Sequence, residues 1–254
     1  MKIIFRGVLL ALVLATIKVS AFAATAPEWQ SRFSEANTKY QSGEFKKAIS
    51  LYEDIAKTRP TAALYYNLGN ASLKAGKKGK ALLYYERALR ATPRDADLLW
   101  NIKVLKDSLQ DRLEEGSANL VVAWISKGAH FFTWNETATA LTGSLLILLA
   151  GILLGFFFPW AKGLGRFVSV VSILSLVAFS VLFGFQWNEL KYPKAVILEK
   201  EVIAYYGPSL RETKAFALHE GAEAQILDSS RDWVYVSLTN GNSGWISAAS
   251  CETV

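Results

Sequence analysis

Between Glu136 and Lys162 the chain reads TATALTGSLLILLAGILLGFFFPWA, 25 residues without a charge, and between Arg166 and Glu189 it reads FVSVVSILSLVAFSVLFGFQWN, 22 more. A helix rises about 1.5 Å per residue, so about 20 apolar residues cross the hydrocarbon layer of a bilayer. Helical hydrogen bonding satisfies the backbone within each segment, which is what lipid requires. Spans are therefore expected at 138–158 and 167–187. The joining segment, 159–166, carries Lys162 and Arg166 and no acid. Positive charge in a short loop stays cytoplasmic, so both flanks of the hairpin are expected outside. Trp134, Trp160 and Trp187 fall near the span ends, where amphipathic rings prefer the headgroup zone. Neither span holds an ionisable side chain, which points to an anchor and away from an ion pathway.

The N-terminus fits the same topology. Lys2 and Arg6 precede an apolar stretch from Gly7 to Ile17, and small residues follow at Ala21, Ala23 and Ala24. This is the layout of an export signal over 1–23, with cleavage after Ala23. Lys18, late in the apolar stretch, leaves retention as an anchor open. Before the first span, 116–135 mixes Leu120, Val121, Val122, Trp124, Ile125, Phe131 and Phe132 with Lys127 and His130. An amphipathic helix lying on the outer membrane surface would account for it, with His130 an interfacial residue.

Composition narrows the function classes. The chain has 254 residues, of which 52% are hydrophobic and only 20% charged, too apolar for a purely soluble protein. The net charge of +6 is uneven: residues 24–115 hold 16 basic against 12 acidic side chains, and 189–254 hold 6 against 9. A basic stripe for nucleic acid is not there. With one cysteine and two histidines, the chain carries no zinc set, no internal disulfide framework and no expected cofactor. Cys251 is either a bystander or, in an oxidising compartment, a partner in an intermolecular disulfide. Gly-x-Ser-x-Gly, Walker and His-Glu-x-x-His motifs are missing from the sequence, and no enzyme is expected.

Residues 28–93 repeat with a period of 33. Ala36 matches Gly69, Gly43 matches Gly76, Ala48 matches Ala81, Tyr52 matches Tyr85 and Pro60 matches Pro93. Small residues recur where paired helices approach, aromatics where they fill the interface, and proline where the second helix stops. The pattern resembles the tetratricopeptide repeat, most closely in the second copy. Asp95-Ala96-Asp97-Leu98-Leu99-Trp100-Asn101-Ile102 then looks like a third first-helix, which would cap the stack. An α-helical domain of two repeats plus a capping helix is expected over 27–115. Such stacks leave a concave face, and by register Asn37, Asn67, Asn70 and Lys74 are the candidate peptide-binding residues there. Solvated helix surface is the equally weighted alternative for the same side chains. Some relatives clamp a terminal carboxylate with Lys and Asn; Phe33 stands where a Lys would complete that set.

From Ala195 onward, apolar runs at 195–198, 202–205, 215–218, 224–227, 233–238 and 244–246 are separated by turn residues at 207–209, 219–221, 228–232 and 240–242. Short strands at this spacing indicate a sandwich or small barrel. The segment 193–254 resembles a bacterial SH3-like domain through Gly207-Pro208-Ser209, Leu218, Gly221, Trp233, Val236, Asn240-Gly241 and Gly244-Trp245-Ile246. Tyr205, Tyr206 and Tyr235 are its candidate peptide-binding aromatics. Trp233 and Trp245 are expected in the core, and His219 on the surface beside a turn.

The fold class expected is thus a multidomain membrane protein: a tetratricopeptide domain, a two-helix transmembrane hairpin and an all-β SH3-like barrel. In that order, the parts are similar to the BatE-type proteins of bacterial Bat (aerotolerance) operons. The resemblance implies a place in the bacterial inner membrane with both folded modules outside. It also implies protein partners, among them von Willebrand A-domain membrane proteins of the same operon. Two roles stay open, a scaffold for protein partners and an envelope tether that binds peptidoglycan through the SH3-like domain.

Overall fold

Gly43 and Gly76, 33 residues apart, both hold a left-handed backbone, with φ of +79° and +75°. The computed structural model describes residues 28–111 and 120–254, so the signal segment 1–23 lies outside the described part. Each glycine closes the turn between two antiparallel helices: α1 (Glu28–Gln41) to α2 (Phe45–Ala56), and α3 (Ala62–Lys74) to α4 (Lys78–Ala91). The turns use the same bonds. Glu44 N–H donates to Lys39 O and Lys77 N–H to Ser72 O, both at 2.9 Å, the pattern in which a glycine after a helix satisfies its last carbonyls. Thr61 caps α3 by accepting from Leu64 N–H at 3.3 Å, and Asp95 caps α5 (Ala96–Asp107) by accepting from Leu98 N–H at 3.0 Å.

Small residues let these helices close. A Cβ added at Gly69 would stand 2.4 Å from the Tyr85 ring, and its counterpart Ala36 is fully buried. One core gathers Ala36, Ile49, Tyr52, Leu64 and Leu68; a second gathers Leu82, Tyr85, Leu98, Ile102, Leu105 and Leu109.

α6 (Leu120–Phe131) leads to α7 (Trp134–Phe157), a 3-10 turn (Pro159–Ala161) and α8 (Lys162–Lys191). Thr133 and Glu136 form a reciprocal capping box that fixes the start of α7. Both long helices are apolar and long enough to cross a membrane, with mean hydropathy of 2.3 and 2.4. Only 11% and 6% of those windows are buried, so protein does not cover their apolar surface as it would for a core helix. The two helices meet through small residues: a Cβ on Gly165 would lie 2.6 Å from Gly151 O and 2.8 Å from Gly155 N, and Ser144 bonds Ser175 at 2.8 Å. Lys162 and Arg166 sit in the first turns of α8, so the connection between the helices is shorter than the segment 159–166 read from the sequence. Gln186, buried near the far end of α8, donates to Ala129 O and Phe132 O, both at 2.9 Å, and so holds α6 against the hairpin.

The C-terminal part is one antiparallel sheet of seven strands in the order β3-β2-β6-β5-β4-β1-β7. These are β1 (Lys194–Ile197), β2 (Glu201–Tyr205), β3 (Lys214–His219), β4 (Glu223–Ser230), β5 (Trp233–Ser237), β6 (Ser243–Ser247) and β7 (Cys251–Thr253). Ile197, Val202, Ala204, Leu218, Ala224, Val234, Val236 and Ile246 share one core although they come from strands far apart in that order, so the sheet curls around it. β7 was not among the six runs read from the sequence. The turn expected over 228–232 is tighter: β4 runs through Ser230, and Arg231 takes the left-handed corner with φ of 52°.

Candidate protein-interaction site

In each repeat a tyrosine of the second helix donates to an asparagine of the first. Tyr52 Oη bonds Asn37 Oδ1 and Tyr85 Oη bonds Asn70 Oδ1, both at 2.6 Å. Burial pushes both phenols up to about 12, so they remain donors at any ordinary pH. Period and chemistry coincide: residues 37 and 52 become 70 and 85 after one repeat. Each carbonyl oxygen of Asn37 and Asn70 therefore gives one of its two lone pairs to a tyrosine inside the stack. Asn67 is half-buried and Lys74 exposed, and with Asn70 they lie three and four residues apart along α3, on one helix face. Neither sequence reading of the asparagines anticipated the bond to tyrosine.

Aromatic and charged side chains stiffen the surroundings. Tyr65 stacks on Tyr84 at 6.2 Å, and the Arg87 guanidinium lies 5.9 and 5.7 Å from the two rings. Glu53 accepts from Lys80 Nζ at 2.8 Å and from Tyr84 Oη at 2.7 Å. Burial alone would raise the Glu53 carboxyl, but these two donors outweigh it and hold it below its usual range. Asn101 on α5 donates to Tyr66 Oη at 3.1 Å, tying the capping helix to α3.

The repeat unit does not stand apart from the sheet. Val196, Leu198 and Val254 pack into the core of α4 and α5. Glu220 accepts from Gly79 N–H at 2.9 Å, so a carboxylate of the β module supplies the cap missing at the start of α4, where Lys77 makes no side-chain cap bond. A side chain at position 79 would meet Ile197 O at 2.4 Å, so only glycine permits this approach. Lys106 bridges Glu86 and Glu223, each at 2.8 Å, and Arg87 reaches Glu252 at 2.9 Å. Asp111 accepts from His219 N–H at 2.6 Å and meets its Nδ1 at 2.8 Å, while Gln110 Nε2 lies 3.0 Å from Nε2. His219, expected as a surface residue, is instead part of this junction. The correction follows from pairing across more than a hundred residues, which has no local signature in sequence.

A second surface lies on the sheet. Along β5 the exposure alternates, with Val234 and Val236 buried and Trp233, Tyr235 and Ser237 partly open. Cross-strand partners place Tyr205, Trp245 and Tyr235 in one row, and Tyr205 meets Trp233 edge-on at 5.8 Å. Tyr235 and Trp245 lie 5.3 Å apart, and Tyr235 Oη bonds Ser243 at 2.8 Å. The core expected around Trp233 and Trp245 is thus built by their neighbours. Both tryptophans share the period-two phase of Tyr205 and Tyr235 and face away from it, because alternate residues of a strand point to opposite faces. Tyr206, next in the chain, is 70% exposed.

Cys251 is half-buried in β7, and burial pushes its thiol up to about 11.

Comparison with known families adds one finding: a tetratricopeptide repeat family model matches residues 33–96, which span α1 from Phe33 through the start of α5. No curated protein matches the chain. The tetratricopeptide repeat is a non-catalytic protein-interaction fold, so the helical part of this chain has protein partners as its expected ligands.

Proposed function

We propose that this chain is a non-enzymatic, membrane-anchored scaffold. It holds the tetratricopeptide groove and the β module as one body on the outer side of a bacterial inner membrane. The observation that carries the reading is the mechanical continuity from repeat to membrane. Arg94, at the end of the second repeat, pairs with Glu136 at the start of α7 at 2.5 Å and donates to Phe131 O at 3.3 Å. A partner held in the groove through Asn67, Lys74 and the outer parts of Asn37 and Asn70 would be fixed in position relative to the bilayer. The order of modules supports a Bat-type envelope complex, with von Willebrand A-domain membrane proteins as partners. Crosslinking in intact cells tests it: wild-type chain captures a defined partner, and Asn67→Ala/Lys74→Ala loses it while remaining in the membrane fraction. Undiminished capture by that variant, or capture that survives deletion of residues 28–93, refutes the scaffold.

The aromatic row Tyr205, Trp245 and Tyr235, with Trp233 and Tyr206 beside it, favours a second reading: an envelope tether that binds peptidoglycan through the sheet. Retention of the full chain on purified wall sacculi, lost on Tyr235→Ala, would support it; equal retention of both would count against it.

A further inference from the structure

The capping helix α5 buries one face and leaves the other open. Leu98, Ile102 and Leu105 are inside, whereas Leu99, Trp100 and Val104 are 45%, 63% and 50% exposed, with Lys103 between them. Asp107, one turn beyond Lys103, ends this apolar stretch. Large apolar side chains at such spacing on one helix need an occupant.

The location identifies one. Arg94, two residues before α5, is clamped to Glu136 and Phe131 at the outer end of the hairpin, and its guanidinium sits 5.2 Å from the Phe131 ring centre. From Arg94 to Trp100 the chain advances at most about 13 Å, two extended steps and one helical turn. A headgroup layer is roughly 5–8 Å thick, and a tryptophan side chain covers much of the remainder. α6, whose last residue Phe131 accepts from Arg94, presents Leu120, Val121, Val122 and Trp124, also exposed. Two helices with exposed apolar faces are thus tied to the start of the hairpin through Arg94. Each includes a tryptophan and an exposed lysine, Lys103 or Lys127, the composition of a membrane interface with cationic ends in the anionic headgroups.

We propose that the open face of α5 rests on the outer lipid surface, so the repeat unit lies along the bilayer instead of standing off it. The inference rests on the membrane-anchored reading above and extends it. By the 33-residue register Trp100 and Lys103 continue the line of Asn67 and Asn70, so the far wall of the groove would be set against lipid. A groove partner would then approach at membrane level.

The test uses the full chain in nanodiscs of phosphatidylethanolamine and phosphatidylglycerol, with nitroxides on a Cys251→Ser background. Labels go at Trp100→Cys and Val104→Cys, with Leu148→Cys inside α7 and Lys46→Cys on the distant α2 as references. Collision with oxygen and with a water-soluble nickel chelate reports depth. The expected result is a loss of nickel accessibility at 100 and 104 relative to 46, together with a gain in oxygen accessibility toward the value at 148. Water-like behaviour at 100 and 104 with a lipid-like 148 overturns the proposal and leaves the anchor intact. A water-like 148 removes the anchor and the proposal with it. Shielding of 100 and 104 from both reagents means protein covers the face, which also overturns it.

Discussion

Replacing Lys106 by methionine interrogates the junction between helices and sheet. Lys106 Nζ lies 2.8 Å from both Glu86 and Glu223, and Lys194 is 3.6 Å from Glu223. Glu86 and Glu223 side chains are only 11% and 23% exposed, against 38% for Lys106. Removing one partner of a buried ion pair costs about 3–5 kcal/mol, and the partial exposure of Lys106 brings the expected loss down to about 2 kcal/mol. For a chain of this size that lowers Tm by about 4–8 °C. Acidity supplies the sharper signature. Burial pushes the Glu86 carboxyl up, but Lys194 and Lys106 outweigh it and hold it below 4.5. In the native chain this group therefore stabilises above 4.5, and the contribution fades as pH falls through the depressed value. In Lys106→Met only Lys194 is left to offset burial, so the Glu86 carboxyl rises and ionised Glu86 is less well compensated near neutral pH. Acidification then recovers part of the loss, as does adding Glu86→Gln. Thermal unfolding of the full chain in detergent, followed by circular dichroism near pH 7 and near pH 5, measures both effects. A variant whose Tm matches the native one, or whose deficit is the same at the two pH values, would refute the bridging role of Lys106.

Three further outcomes are expected. Tyr85→Phe should cost about 1 kcal/mol in urea unfolding, with a double-mutant cycle against Asn70→Ala giving a coupling of similar size; a coupling near zero would show that their hydrogen bond is idle. Gly69→Ala pushes a methyl into the Tyr85 ring and should destabilise by about 3 kcal/mol, whereas Gly143→Ala, with nothing within 4 Å, should be close to neutral by the same measurement. Cys251 should alkylate with iodoacetamide about a hundredfold more slowly near pH 8 than an unperturbed thiol, because its shift from 9.0 to about 11 depletes the thiolate; rapid labelling would contradict its burial.

Much of the architecture was legible because it is written in local periods. The 33-residue recurrence gives the paired helices, the charge-free runs give the hairpin, and period-two alternation gives six of the seven strands. The seventh, Cys251–Thr253, is too short to alternate visibly and exists because it pairs with β1. The close helix contact at Gly151 and Gly165 was also within reach of the sequence, since Gly151 and Gly155 stand four residues apart in an apolar helix, the spacing that brings two backbones together.

The candidate site was less legible. Register nominated Asn37 and Asn70 as peptide-binding positions, but the sequence could not say that their oxygens accept from Tyr52 and Tyr85. Which of two alternating sets in β5 and β6 faces inward was equally undetermined, since valine and tryptophan are both apolar enough for a core.

Sequence alone, then, determined most of the elements and their order, because hydrophobic period and turn chemistry act between near neighbours. Only the tertiary structure decided that repeats, sheet and hairpin are joined. Glu220 on Gly79, Asp111 on His219, Lys106 on Glu223 and Arg94 on Glu136 are polar contacts between residues 42 to 141 positions apart. Their geometry exists only once the chain has folded.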